Sequence, residues 1–296
     1  MRAIVTGGAG FIGSHVAEAL LARGDDVLVL DDLSKGKREN VPEDARLEIA
    51  DIREPLDDWF EGAEACFHLA AQADVRVSVE RPDHDAAVNV LGTIRVLEAA
   101  RRHGTQVVFA STGGAIYGEC ERPAPEEAER RPLSPYGVSK LAGEEYLAGY
   151  NRLYGTRHVA LRYGNVYGPR QDPHGEAGVV AIFLSRLAAG ETPRIFGDGR
   201  QTRDYVFAGD VARATLAAPG GDGVFNVGTG AETSVLELYE LCRRVAGSEQ
   251  EPVLADARLG ELQRSVLDAS RAERELGWRP EVGLEEGLRL TWEALA

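Results

Sequence analysis

Short apolar runs alternate with amphipathic stretches through the first half of the chain. Ala3–Val5, Val27–Leu30, Ala65–Leu69, Val107–Ala110 and His158–Arg162 are apolar at successive positions, as strands covered on both faces must be. Between them Ile12–Ala22, Ala86–Arg102 and Lys140–Leu153 repeat their apolar residues at helical spacing. Strand–helix alternation of this kind predicts an α/β fold with a doubly wound parallel sheet. Past about Tyr167 the pattern changes. Gly168-Pro169-Arg170 and Gly197-Asp198-Gly199 read as tight connections, and helices are expected at Val179–Ala189, Leu236–Val245 and Leu284–Trp292. The expected organisation is a sheet domain over 1–166 and a smaller C-terminal α/β lobe over 167–296, with some segments crossing between them.

Composition narrows the partners. The 296 residues carry a net charge of -15, from 33 basic against 48 acidic side chains, which argues against nucleic acid and against an anionic membrane surface. A small anionic ligand held by a few Arg side chains and backbone N–H groups remains compatible. Cys66, Cys120 and Cys242 form no CxxC pair, so neither a metal site nor a disulfide framework is expected. Met1 is followed by the apolar Ala3-Ile4-Val5 without a charged leader, and no run approaches the ~20 apolar residues that span a bilayer. These features predict a cytoplasmic enzyme without a signal peptide.

The first strand leads into Thr6-Gly7-Gly8-Ala9-Gly10-Phe11-Ile12-Gly13, which satisfies G-x-G-x-x-G from Gly8 and its longer variant from Gly7. Glycines permit the tight turn and let backbone N–H groups reach a pyrophosphate at a helix N-terminus. A Gly-rich turn alone is weak evidence; its place between strand and helix at the start of the chain makes it a Rossmann-type dinucleotide site. The second strand ends in Asp31-Asp32, 18 residues past Gly13. A carboxylate there accepts hydrogen bonds from an adenosine ribose and repels a 2′-phosphate, which predicts NAD over NADP, with Asp31 favoured over Asp32. Asp51-Ile52 after the third strand reads equally as an adenine contact or a helix cap.

Tyr136-Gly137-Val138-Ser139-Lys140 carries the candidate chemistry. On a helix, Tyr136 and Lys140 share a face, and Pro135 marks the helix start. A phenol titrates near pH 10 and is a poor base until a neighbouring ammonium favours the phenolate. Val108-Phe109-Ala110-Ser111-Thr112-Gly113-Gly114 ends another strand, 24 residues before Tyr136 counting from Thr112. A hydroxyl there would bond a substrate oxygen as it becomes a carbonyl; turn chemistry is the plainer alternative.

Taken in order, these motifs resemble the nucleotide-sugar epimerase/dehydratase branch of the extended short-chain dehydrogenases. Further marks are His68-Leu69-Ala70-Ala71-Gln72, Asn89, Leu161-Arg162-Tyr163-Gly164-Asn165-Val166-Tyr167-Gly168-Pro169, Arg203-Asp204-Tyr205-Val206 and the closing Glu275-Leu276-Gly277-Trp278. The resemblance spans nearly the whole chain. It implies bound NAD, Tyr136 as catalytic base, Lys140 tuning it and holding the nicotinamide ribose, and Thr112 as hydroxyl partner with Ser111 as rival. It places Leu69, Ala70, Ala71, Asn89 and Tyr163 near the cofactor. It further implies Asn165, Arg203 and Arg258 on the diphosphate of a UDP-sugar, Glu261 in the same segment, and a homodimer through Ala86–Arg102 and Lys140–Leu153.

The same resemblance implies a UDP-hexose 4-epimerase among the relatives. Dehydratases of this kind carry an Asp-Glu pair after the Thr, whereas Gly113-Gly114 follow here and transfer no proton. Decarboxylases keep a Glu in that loop, and Glu119 lies outside it. UDP-glucuronate epimerase or decarboxylase chemistry is the alternative, and a non-catalytic NAD-binding sensor is the alternative from another class. Arg258-Leu259-Gly260-Glu261 lengthens the usual carboxylate by one methylene, and the small Ser265 would leave room for an N-acetyl group on the sugar.

Overall fold

The computed structural model describes residues 1–173, 178–257 and 262–295. Seven strands form one parallel sheet: β1 (Arg2–Thr6), β2 (Asp26–Asp31), β3 (Arg46–Ile49), β4 (Ala65–His68), β5 (Gln106–Thr112), β6 (Val159–Tyr163) and β7 (Gly223–Val227). Their order across the sheet is β7-β6-β5-β4-β1-β2-β3. The order reverses direction at β1, and ligands of such sheets bind beyond the carboxyl ends of the strands at that reversal. Apolar side chains leave both faces. In β1, Ala3 and Val5 join a core with Val16, Leu20 and Phe67, while Ile4 joins the opposite one with Leu97, Val107 and Phe109. This is the reason the strands read as continuous apolar runs rather than alternating ones.

Each expected strand is present within a residue or two, and Phe11–Ala22, Val179–Ala188, Val235–Ala246 and Leu284–Glu293 are helices. One helix differs from expectation. The stretch expected as one helix over Ala86–Arg102 is a helix over Pro82–Ala86, a π-turn over Ala87–Leu91 and a helix over Gly92–His103. The helix carrying Tyr136 and Lys140 runs from Pro135, its expected start, to Tyr154, capped by the Ser134 hydroxyl on the Gly137 N–H at 3.2 Å and closed by the left-handed Gly155. Tyr136 therefore lies in its first turn.

β7 was not expected. It comes from the second lobe yet pairs with β6, from Gly223 on Val159 to Val227 on Tyr163. The rest of that lobe has its own core, around Phe183, Leu184, Ile195, Tyr239 and Leu288. Three short pairings build it: Asn165–Tyr167 beside Tyr205–Phe207, Arg194–Phe196 beside Val253–Ala255, and Thr202–Arg203 between Thr233–Ser234 and Arg264–Ser265. No described helix is long and apolar enough to cross a membrane.

Candidate active site

The Gly-rich turn leaves no room for side chains. Gly7 has φ 72°, and a Cβ on it would lie 2.6 Å from the Ala70 nitrogen; one on Gly13 would lie 2.1 Å from the Gly7 carbonyl oxygen. Leu69 and Ala70 thus close against the turn, with the Ala70 N–H donating to Thr6 Oγ1 at 3.2 Å. The helix that follows starts at Phe11 with Gly10 as its N-cap and no side chain on its N–H groups. An uncapped helix start above a side-chain-free turn is a fitted seat for a diphosphate. Asp31 accepts the Ala9 N–H at 3.0 Å and the Leu33 N–H at 2.9 Å, the latter aimed by a left-handed Leu33 with φ 57°. Burial pushes the Asp31 carboxyl up against those two donors. Asp32 is exposed and closes a local turn onto Ser34. Asp51 also closes a turn, accepting the Arg53 N–H at 2.9 Å and pairing with the Arg53 guanidinium; no helix starts there. Ile52 is buried beneath Gly92.

Ser111 and Thr112 end β5 and point opposite ways, as successive strand residues do. The Ser111 hydroxyl donates to Glu144 at 2.5 Å inside the protein. Neither the Thr112 hydroxyl nor the Tyr136 hydroxyl is bonded to a protein group among the described residues. Lys140 donates its ammonium to the Ala110 carbonyl at 2.9 Å and sits 4.8 Å over the Phe109 ring. Burial lowers Lys140 to about 8, opposed by the negative charges of Asp85 and Glu144. The expected acidification of the phenol is not produced by the protein alone. Burial, with Asp85 adding to it, holds Tyr136 above the usual phenol range, and the Lys140 ammonium is turned to a backbone carbonyl.

Around this pair runs a buried polar web that the sequence motifs only partly mark. Glu144, one turn beyond Lys140, is gripped by Arg162 of β6, and Arg162 also donates to the Tyr117 hydroxyl at 2.6 Å. Tyr117 in turn donates to Asn226 of β7 at 2.8 Å. The i+8 spacing from Tyr136 to Glu144 was the available signal, since it repeats the Tyr–Lys face. On the other side, Asn89 accepts the Gln72 N–H and donates to the Gln72 carbonyl, both at 2.8 Å, and reaches Asp85 at 3.0 Å. His68 bridges Thr6 and Thr93, and burial beside Lys140 lowers it to about 3, so it is neutral. Because Thr93 donates to the Asn89 carbonyl at 2.7 Å, it accepts from His68 Nε2. Ala71 follows Ala70 in the same wall. The Tyr163 hydroxyl is buried against Thr215 at 2.8 Å, on the helix Ala208–Ala217.

The residues expected on the substrate side come from three short strands. The Asn165 N–H is held by the Asp204 carbonyl at 2.7 Å, and the Asn165 side chain faces the Thr112–Gly114 turn. Arg203 pairs in register with Ser265, and its guanidinium donates to the Thr202 carbonyl at 2.8 Å. Ser265 is buried. Arg258 and Glu261 lie outside the described residues. A Cβ on Gly113 would lie 2.5 Å from Leu267, so Leu267 fills the place of any side chain there. Glu119 is occupied by the N–H groups of Gln263 at 2.8 Å and Arg264 at 2.6 Å.

A side-chain-free diphosphate seat at β1 and a Tyr–Lys helix on β5, at the carboxyl end of one sheet, define the short-chain dehydrogenase class. The chain belongs to the NAD dependent epimerase/dehydratase family, whose profile it matches over residues 3–228, and NAD is its cofactor. A UDP-glucose 4-epimerase from Mycolicibacterium smegmatis is 49% identical over 308 residues, 99% of this chain and 98% of that protein. The crystal structure of the Thermotoga maritima UDP-glucose 4-epimerase with UDP-glucose superposes with a TM-score of 0.96 at 47% identity, covering 100% of this chain and 98% of that one. The Thermus thermophilus UDP-glucose 4-epimerase with NAD gives a TM-score of 0.93 at 48% identity, covering 99% of this chain and 98% of that one.

Proposed function

We propose that the chain interconverts UDP-glucose and UDP-galactose by inverting C4 of the hexose. The observation that carries this reading is the division of labour at the end of β5. Ser111 is consumed by Glu144, the Thr112 hydroxyl is left for substrate, and Gly113 with Gly114 offers no acid or base for a second step. Bound NAD supplies a reversible hydride acceptor. Tyr136 takes the proton of the 4-hydroxyl and returns it, and Thr112 donates to the same oxygen as it becomes a carbonyl. Lys140 places positive charge beside the phenol. Asn165, Arg203, Arg258 and Glu261 hold the UDP half, so that the 4-keto sugar turns without leaving.

The occupied Glu119 speaks against decarboxylation. The small Ser265, in register with Arg203, supports acceptance of UDP-GlcNAc and UDP-GalNAc as well. Residues 1–166 are taken to carry the cofactor and 167–296 the nucleotide sugar. Leu91 and Leu153 are more than half exposed on the helices expected at a dimer interface, which supports a homodimer. Light scattering of the purified protein tests that assembly, and a monomer would reject it.

The decisive experiment incubates the purified protein with UDP-galactose without added cofactor and follows UDP-glucose. Tyr136→Phe should abolish turnover while retaining bound NAD. Turnover in that variant, or none in the wild type, overturns the reading.

A further inference from the structure

Asp85 is a buried acid with no ion-pair partner among the described residues, placed between the wall of the dinucleotide cleft and the catalytic helix. One of its oxygens accepts from Asn89 Nδ2 at 3.0 Å and from Gln72 Nε2 at 3.0 Å. Gln72 ends the Leu69–Gln72 loop that closes on the Gly-rich turn. Asn89 in turn pairs with the Gln72 backbone on both sides of its amide, and its two amide hydrogens are shared with a third acceptor, Ser139 Oγ at 3.2 Å. Ser139 passes the link to the Tyr136 carbonyl at 2.9 Å. With Asn89 Oδ1 taken by an N–H and Nδ2 facing a carbonyl and a carboxylate, only one amide orientation satisfies the cluster. The π-turn at Ala87–Leu91 presents Asn89 to both sides.

We propose that Asp85 is a positioning residue for the reaction, locking the cofactor wall and the first turn of the Tyr136–Lys140 helix into one unit and supplying the negative charge that faces that pair. Its charge acts on both partners in the same direction: it favours the ammonium of Lys140 and disfavours the phenolate of Tyr136. The other titratable groups facing the pair are Glu144, held by Arg162, and the neutral His68.

The inference rests on the proposed epimerase activity for its kinetic arm only. Asp85→Asn keeps the volume and one accepting oxygen but removes the charge. Both limbs of the bell-shaped kcat profile should then move to lower pH, with KM for the UDP-sugar little changed. Ultraviolet difference titration of the NAD-loaded protein should show the phenol step, identified by its absence in Tyr136→Phe, moving the same way. This readout needs no turnover, so an inactive wild type would reject the epimerase reading without deciding the role of Asp85. Ser139→Ala cuts the link to the Tyr136 carbonyl and leaves the charge. It should lower kcat by about 100-fold at every pH without displacing the profile. Unshifted profiles and phenol titration in Asp85→Asn overturn the electrostatic role. Native kcat in Ser139→Ala overturns the positioning role.

Discussion

Glu144 and Arg162 meet at 2.6 Å with each side chain only 2% exposed, so the helix carrying Tyr136 and Lys140 is tied to β6 by a desolvated ion pair. Removing one member strands the other charge. Arg162→Met should cost about 3–5 kcal/mol of stability, read as a lower urea midpoint. A change under about 1 kcal/mol would show that the pair is not charged as drawn.

The two hydroxyls at the end of β5 should behave differently. Thr112→Val should reduce kcat by about 100-fold with the melting temperature nearly unchanged. Ser111→Ala should cost about 1–3 kcal/mol of stability through the under-satisfied Glu144, with the smaller effect on kcat. Steady-state kinetics and thermal unfolding of both variants decide which hydroxyl faces the sugar.

Asp31 is proposed to set selectivity for the dinucleotide. Asp31→Ser removes the charge and one acceptor, and NAD affinity should fall about 10- to 100-fold while NADP binding becomes measurable by calorimetry. Unchanged NAD affinity would place the ribose elsewhere.

Gly13→Ala tests the seat itself. A Cβ there meets the Gly7 carbonyl oxygen at 2.1 Å, so the turn has to open. The variant should elute free of NAD on gel filtration while far-UV circular dichroism stays native.

His158 accepts the Val107 N–H at 3.0 Å, and burial lowers it to about 4. The unfolded chain therefore takes the proton first, near pH 6.5, and the stability His158 contributes is complete above that pH and lost as pH falls toward 4. The advantage of wild type over His158→Gln should shrink by about 2 kcal/mol between about pH 6.5 and 4.5. Urea titrations across that range measure it, and a constant gap would contradict the buried neutral imidazole.

The sheet was legible because its strands are apolar at consecutive positions and its Gly-rich turn has few alternatives. β7 was not, since Gly223-Val224-Phe225-Asn226-Val227 opens on a glycine and carries an asparagine whose amide is used by Ala124, Tyr117 and Asp268. The π-turn was hidden for a related reason: its apolar spacing continues through Ala87–Leu91, and only the bonding of Asn89 reveals the extra residue. Tyr136, Lys140 and Thr112 stood out as a motif. Asp85 did not, because a lone acid near a helix start reads as solvent-facing until Gln72 and Asn89 are seen to enclose it.

The insertion of β7 beside β6 means that the two halves of the polypeptide cannot be shuffled as modules. A gene cut after codon 166 would yield a product with a bare, apolar strand rim at Val159–Tyr163, prone to self-association rather than to cofactor capture. Fusion partners and split reporters therefore belong at the ends of the full polypeptide.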